Sequence, residues 1–167
     1  MNILLFLTPK NDTAYLYDDY TLRQALEKME FHRYSAISVL DREGRYTGTI
    51  TEGDLLWEVK NRCGLDMHRA ESIPIGEIPR RTCNEPVRVD TTMEMLIEKA
   101  LNQNFVPVVD DRGCFIGLVK RKAIIQYCYE RMQDQPAGFA TRLEREGPAD
   151  DDISFRLATG EDVPLIL

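Results

Sequence analysis

The chain has 167 residues, 43% apolar and 29% charged, which suits one compact globular domain or two very small ones. The longest early apolar run, residues 3–7, falls far short of the ~20 residues of a membrane helix. No basic segment precedes it, so no membrane partner is expected and the cytoplasm is the expected compartment. The net charge is −7, and residues 137–167 hold seven acids against three arginines, so neither part has the basic excess that a nucleic-acid partner requires.

In chain order, residues 14–16 form a short β-prone run. Leu22, Ala25, Leu26 and Met29 follow at i, i+3, i+4 and i+7, the spacing of one apolar helical stripe, with Thr21 ahead of them as a cap. Residues 35–40 are strand-prone, Asp41-x-x-Gly44 is a turn signal, and Tyr46-x-Gly48-x-Ile50 alternates as a second strand. A helix over 55–62 is stopped by Gly64. Residues 64–79 read as a linker broken by Pro74 and Pro79. A second set then begins. It has a strand at 87–89, a stripe of Met93, Leu96, Ile97 and Ala100 behind Thr92, a strand at 106–109 and a turn at Asp110-x-x-Gly113. A strand through Phe115-x-Gly117-x-Val119 and a helix over 123–132 complete it. Residues 133–167 lack clear periodicity, and 136–167 read as an acidic tail, whose closing Val163-Pro164-Leu165-Ile166-Leu167 is expected to dock on a surface.

The two sets are copies. Asp41, Gly44, Tyr46, Gly48 and Ile50 recur as Asp110, Gly113, Phe115, Gly117 and Val119 at a constant offset of 69, and the helical stripes recur at an offset of 71. Gly48 and Gly117 inside strands suggest bulges or close backbone approach. Each copy is a βαββα unit, too small to bury enough surface by itself. The expected fold is therefore α/β (α+β), with two repeats sharing one core. Residues 1–72 carry the first repeat with its linker, 73–135 the second, and 136–167 the tail.

The chemistry-bearing residues are few. Thr51 and Asp54 have the spacing of a capping box at a helix start, and the free N–H groups there also make an anion site. In the second copy these positions are Lys120 and Ala123. Lys120, Arg121 and Lys122 therefore stand together at a helix N-terminus, where they oppose the helix dipole. They are either screened by water and salt or face an anion, for which phosphate is the natural candidate. Arg80 and Arg81 either add to this patch or are solvated. Tyr15, Tyr17, Tyr20 and Tyr34 are available for core packing or for stacking on a base. Cys63, Cys83, Cys114 and Cys128 form no Cys-x-x-Cys pair, and with His32 and His68 alone they point to no metal site. No phosphate-cradling Gly-rich loop and no nucleophile motif appears, so neither an enzyme nor a cofactor is expected.

The chain resembles the CBS (cystathionine-β-synthase-type) module. The residues that carry the likeness are Thr21-Leu22-x-x-Ala25, Met29, Val39-Leu40-Asp41, Gly44, Gly48 and Thr51-x-x-Asp54. In the second copy they are Thr92-Met93, Pro107-Val108-Val109-Asp110, Gly113 and Gly117. The likeness covers residues 1 to about 132 and implies two CBS repeats packed as one pseudo-two-fold CBS pair, with clefts between them. A narrower likeness, to small stand-alone bacterial CBS pairs that bind cyclic di-AMP, lies in residues 34–41, 77–80, 102–106 and 120–122. The resemblance implies a sensor of AMP, ATP or cyclic di-AMP that modulates a partner protein and forms a homodimer, with residues 3–7 packed on the core or the interface. A ligand-independent scaffold is the alternative. It also implies a ligand site in which Thr13, Ala14 and Tyr15 line the adenine pocket with Ala36 and Ile37. Asp54 would hold ribose, Thr51 would touch phosphate, and Lys120, Arg121 and Lys122, with Arg80 nearby, would reach phosphates from the second repeat.

Overall fold

A computed structural model describes residues 2–134. The expected docking of residues 163–167 lies outside the described residues. Residues 2–128, which hold both repeats, form one compact unit; from Tyr129 a second unit begins, described only as the end of the last helix.

The elements are β1 (Leu7–Pro9), β2 (Tyr15–Tyr17), α1 (Leu22–His32), β3 (Ala36–Leu40), β4 (Tyr46–Thr51), α2 (Glu52–Asn61), β5 (Val87–Arg88), α3 (Met93–Asn102), β6 (Phe105–Val109), β7 (Phe115–Lys120) and α4 (Arg121–Asp134). Each repeat is the expected βαββα unit. In each sheet a short strand runs parallel to a hairpin: β2 beside β3 and β4, and β5 beside β6 and β7. Thr21 caps α1 in a full capping box with Gln24, and Thr92 caps α3 by accepting from the Met95 N–H.

The glycine expectation is realised in both hairpins. The register slips between Val39 and Leu40 opposite Gly48, and between Val108 and Val109 opposite Gly117, so each second strand carries a bulge. A Cβ on Gly117 would run into the Thr8 carbonyl oxygen of β1, and one on Gly48 into the Arg80 guanidinium. The glycines let another segment cross directly over each hairpin.

Those crossing segments were not legible as strands. β1 pairs antiparallel with β7, Leu7 opposite Val119, so the first residues of the chain complete the sheet of the second repeat. Ile3 is fully buried in the second core with Phe6 and Leu7 packed on it, whereas Leu4 and Leu5 are exposed. The reciprocal holds for the presumed linker. Its short turns at Arg69–Ser72 and Ile75–Glu77 bring Ala70, Ile73, Ile75 and Ile78 into the first core. A boundary at residue 72 thus cuts through a segment that belongs by packing to the first repeat. Each repeat is finished by the segment that precedes the other, because a three-stranded βαββα sheet leaves apolar surface that only such a strap covers.

The two hairpin turns meet at the pseudo-two-fold axis. The Tyr46 N–H donates to the Gly113 carbonyl (3.0 Å) and the Phe115 N–H to the Gly44 carbonyl (2.9 Å). The rings of Tyr46 and Phe115 stack 6.3 Å apart. These are the residues that the 69-residue offset relates to each other.

Candidate functional site: two unequal clefts

A pseudo-two-fold pair of sheets creates two clefts, each bounded by the start of one repeat and by the strand-to-helix junction of the other. The first cleft is an open cavity of about 300 Å³. Thr13, Ala14, Ala36 and Ile37 line it from the first repeat, and Lys120, Arg121 and Lys122 line it from the second. Seven of the eleven expected site residues thus come together.

The cations stand where α4 begins. The Arg121 N–H donates to the Asn104 carbonyl at 3.1 Å, and its Nε donates to the Gln103 carbonyl at 2.9 Å. This holds the guanidinium at the cleft mouth with both Nη groups still available as donors. Lys120 and Lys122 are exposed. Among the described residues none of the three makes an ion pair, although Asp12 also lines the cavity. A helix N-terminus with three cations and little compensating acid suits an anionic group. The cavity also uses residues that motif reading passed over, among them Arg33, which ends α1 in a left-handed conformation (φ 57°). Another is Ser38, whose buried hydroxyl has no partner among the described residues. β3 is buried on both faces, so no alternation marks Ser38 in the sequence.

Thr51, Asp54, Arg80 and Tyr15 do not join this cavity. Thr51 and Asp54 form the full capping box of α2. The Thr51 Oγ1 accepts from the Asp54 N–H (3.2 Å), and the Asp54 Oδ2 accepts from the Thr51 N–H (3.0 Å). The second carboxylate oxygen accepts from the Arg81 N–H at 3.1 Å, and Asp54 is only 4% exposed. Arg80 lies over the β4 bulge and donates to the Thr47 carbonyl at 3.3 Å. Topology separates these residues from the cavity. The β4–α2 junction faces the segment ahead of β5, while the β7–α4 junction faces the segment ahead of β2, so the two carry different clefts. The Tyr15 ring turns outward, edge-on to Tyr17 at 5.7 Å, with the ammonium groups of Lys10 and Lys28 over its face at 5.1 and 5.4 Å.

The second cleft is closed by side chains at its base slot, beside an open hollow of about 400 Å³ lined by Asn84, Glu85, Asn102 and Gln103. Asn84 and Gln103, 6% and 8% exposed, lie across it. The Asn84 Nδ2 donates to the Phe105 carbonyl (2.9 Å) and to the Asn104 Oδ1 (3.1 Å). The Gln103 Oε1 accepts from the Glu85 N–H (2.8 Å), and its Nε2 donates to the Glu85 carbonyl (3.1 Å). The Tyr46 hydroxyl fixes the segment from below by donating to the Asn84 carbonyl at 2.6 Å. Burial pushes that phenol well above its ordinary range, so it remains a donor.

Two βαββα repeats, related by a pseudo-two-fold axis and enclosing two clefts, define a tandem-repeat α/β module. The chain belongs to the CBS-domain family, whose model matches residues 8–61 and 75–130. Among solved structures, the CbpB protein of Listeria monocytogenes in complex with c-di-AMP superposes with a TM-score of 0.69 at 20% identity, covering 80% of this chain and 98% of that one. A CBS domain protein from Streptococcus pneumoniae gives 0.69 at 26% identity over 78% and 88% of the two chains. CBSX2 in complex with AMP gives 0.61 at 20% over 77% and 96%. Among curated sequences, the uncharacterized protein MK0525 of Methanopyrus kandleri is 27% identical over 59% of this chain and 49% of its own length. A homoserine O-acetyltransferase of Methanohalophilus mahii is 27% identical over 68% of this chain and 22% of its own length. The chain thus spans half or less of the curated relatives it matches. Among the described residues no helix is long and apolar enough to cross a membrane, and no cluster of side chains suits a metal ion.

Proposed function

We propose that this chain is a regulatory module that binds one adenine nucleotide in the first cleft and signals its occupancy to a partner protein, without turnover of its own. The observation that carries this reading is the pairing, in one open cavity, of strand backbone at Thr13–Ala14 and Ala36–Ile37 with Lys120, Arg121 and Lys122, three cations without an ion pair among the described residues. Extended backbone offers N–H and C=O groups to a base edge, and the cations take phosphate. Relatives of the same fold bind c-di-AMP and AMP, which supports an adenine ligand.

The favoured ligand is cyclic di-AMP. At the position where the first repeat has Asp54, the second has Ala123, so the first cleft offers no carboxylate there for the free 2′,3′-hydroxyl pair of AMP or ATP. A cyclic dinucleotide ties up its 3′ oxygens in phosphodiesters, forgoes that grip, and presents two phosphates to three cations. Ligand acts on a partner only through differential affinity for two packings of the repeats. Arg121 is the element that couples ligand to packing, since it also holds the Gln103 carbonyl between the clefts. The test is calorimetric titration with cyclic di-AMP, AMP and ATP. Cyclic di-AMP is expected to bind at least tenfold tighter than AMP (~1.4 kcal/mol). Equal affinities would remove the case for the cyclic ligand, and no binding of any of the three would remove the nucleotide reading.

A further inference from the structure

The two clefts are equivalent by position and differ at the base slot. Leu16 of β2 pairs with Val39 and Val87 of β5 pairs with Val108, and Val39 and Val108 are equivalent by the 69-residue repeat. Counting back two residues from Leu16 and Val87 makes Ala14 the counterpart of Glu85, and Thr13 that of Asn84. Tyr34 is the counterpart of Gln103. In the first cleft these residues line the cavity without bridging it. The Thr13 hydroxyl donates to the Lys10 carbonyl, the Tyr34 ring stacks on His32, and Ala14 has nothing to offer but backbone. In the second cleft the amide of Gln103 clasps the N–H and the C=O of Glu85 together.

A primary amide offers an acceptor beside an amino donor. Adenine shows the same pair, its amino group beside a ring-nitrogen acceptor. We infer that Gln103 is a built-in stand-in for an adenine edge, so that the base slot of the second cleft is held by the protein itself and the chain takes one nucleotide, not two. Asn84 completes the plug by covering the Phe105 carbonyl. The carboxylate of Asp54, which belongs to this closed cleft, serves the Arg81 backbone instead of a ribose. Each cleft therefore keeps half of a nucleoside grip: the first has the base slot and the phosphate cations, the second has the carboxylate with the base slot filled. The inference deepens the nucleotide reading of the first cleft and is tested separately from it.

The test reads the Glu85 amide by hydrogen exchange and the stoichiometry by calorimetry, with AMP and cyclic di-AMP as probes. In the wild type, ligand is expected to bind at one per chain and to leave Glu85 exchange unchanged. In Gln103→Ala the Glu85 amide is expected to exchange at least tenfold faster. Millimolar AMP then restores its protection as a second molecule binds. Gln103→Glu, which keeps the acceptor but loses the donor, is expected to hold the Glu85 amide protected and gain no AMP site there. Two ligands per wild-type chain, ligand-induced protection of Glu85 in the wild type, or no AMP-dependent protection in Gln103→Ala would each overturn the inference. Should the wild type bind neither probe while Gln103→Ala binds AMP at Glu85, the first-cleft reading fails and the plug stands. The wild-type measurements decide the matter even where a variant does not fold.

Discussion

Replacing Arg121 by alanine is the sharpest perturbation of the first cleft, because this guanidinium is both a cleft cation and a strut. A charge-assisted contact to phosphate contributes about 1.5–3 kcal/mol, so its loss is expected to weaken cyclic di-AMP binding roughly ten- to 150-fold at 1.36 kcal/mol per decade. The strut is the 2.9 Å bond from Nε to the Gln103 carbonyl. A bond of this kind is worth about 0.5–1.5 kcal/mol net, a fall in melting temperature of roughly 1–6 °C for a chain of this size. The two losses separate experimentally. Calorimetry below the melting temperature reads the first, and thermal unfolding without ligand reads the second. Arg121→Lys is expected to recover most of the affinity, since it keeps the charge, and none of the strut, since it has no Nε–H. The affinity difference between wild type and Arg121→Ala is also expected to shrink as salt rises, because exposed charges are screened. Wild-type affinity in Arg121→Ala at low salt would place the phosphates elsewhere and refute the assignment.

Asp54→Asn is expected to cost about 1–3 kcal/mol in denaturant unfolding, because an amide cannot accept from both the Thr51 and Arg81 N–H groups that the buried carboxylate now satisfies; first-cleft affinity measured calorimetrically stays within about twofold, as expected for a site with no shared partner. Gly117→Ala drives a methyl group into the Thr8 carbonyl and is expected to cost about 1–3 kcal/mol, with faster amide exchange along β1. Unchanged exchange at Leu7 and Thr8 would show that β1 is not held through this contact. The chain is expected to sediment as a homodimer at micromolar concentration, burying helix-face apolar residues that are exposed here, such as Phe31 (82%) and Leu101 (73%); a sedimentation mass of one chain would count against it.

The sequence by itself determined the repeat and hence the fold. Two ordered copies of Asp-x-x-Gly-x-aromatic-x-Gly at one offset specify two hairpins, and the Thr-capped stripes specify the helices ahead of them. These are local signals, carried by turn chemistry and side-chain periodicity within a few residues. They also place the capping box at Thr51 and Asp54 and the cations at the start of α4. The sequence does not show which junction faces which strand: Asp54 meets the Arg81 N–H, while Ala36 lines the cavity with Lys120. Nor did it show that residues 3–9 and 70–78 are straps on the opposite repeats: β1 is three residues long, and its ladder partner, β7, lies about 110 positions away. The same holds for Gln103 and Asn84, ordinary polar residues in sequence. Only the fold brings the Gln103 amide onto the Glu85 backbone, 18 residues earlier, and closes the base slot of the second cleft. Hydrogen bonds of this kind depend on approach and angle between distant segments, which tertiary packing sets and no local pattern encodes.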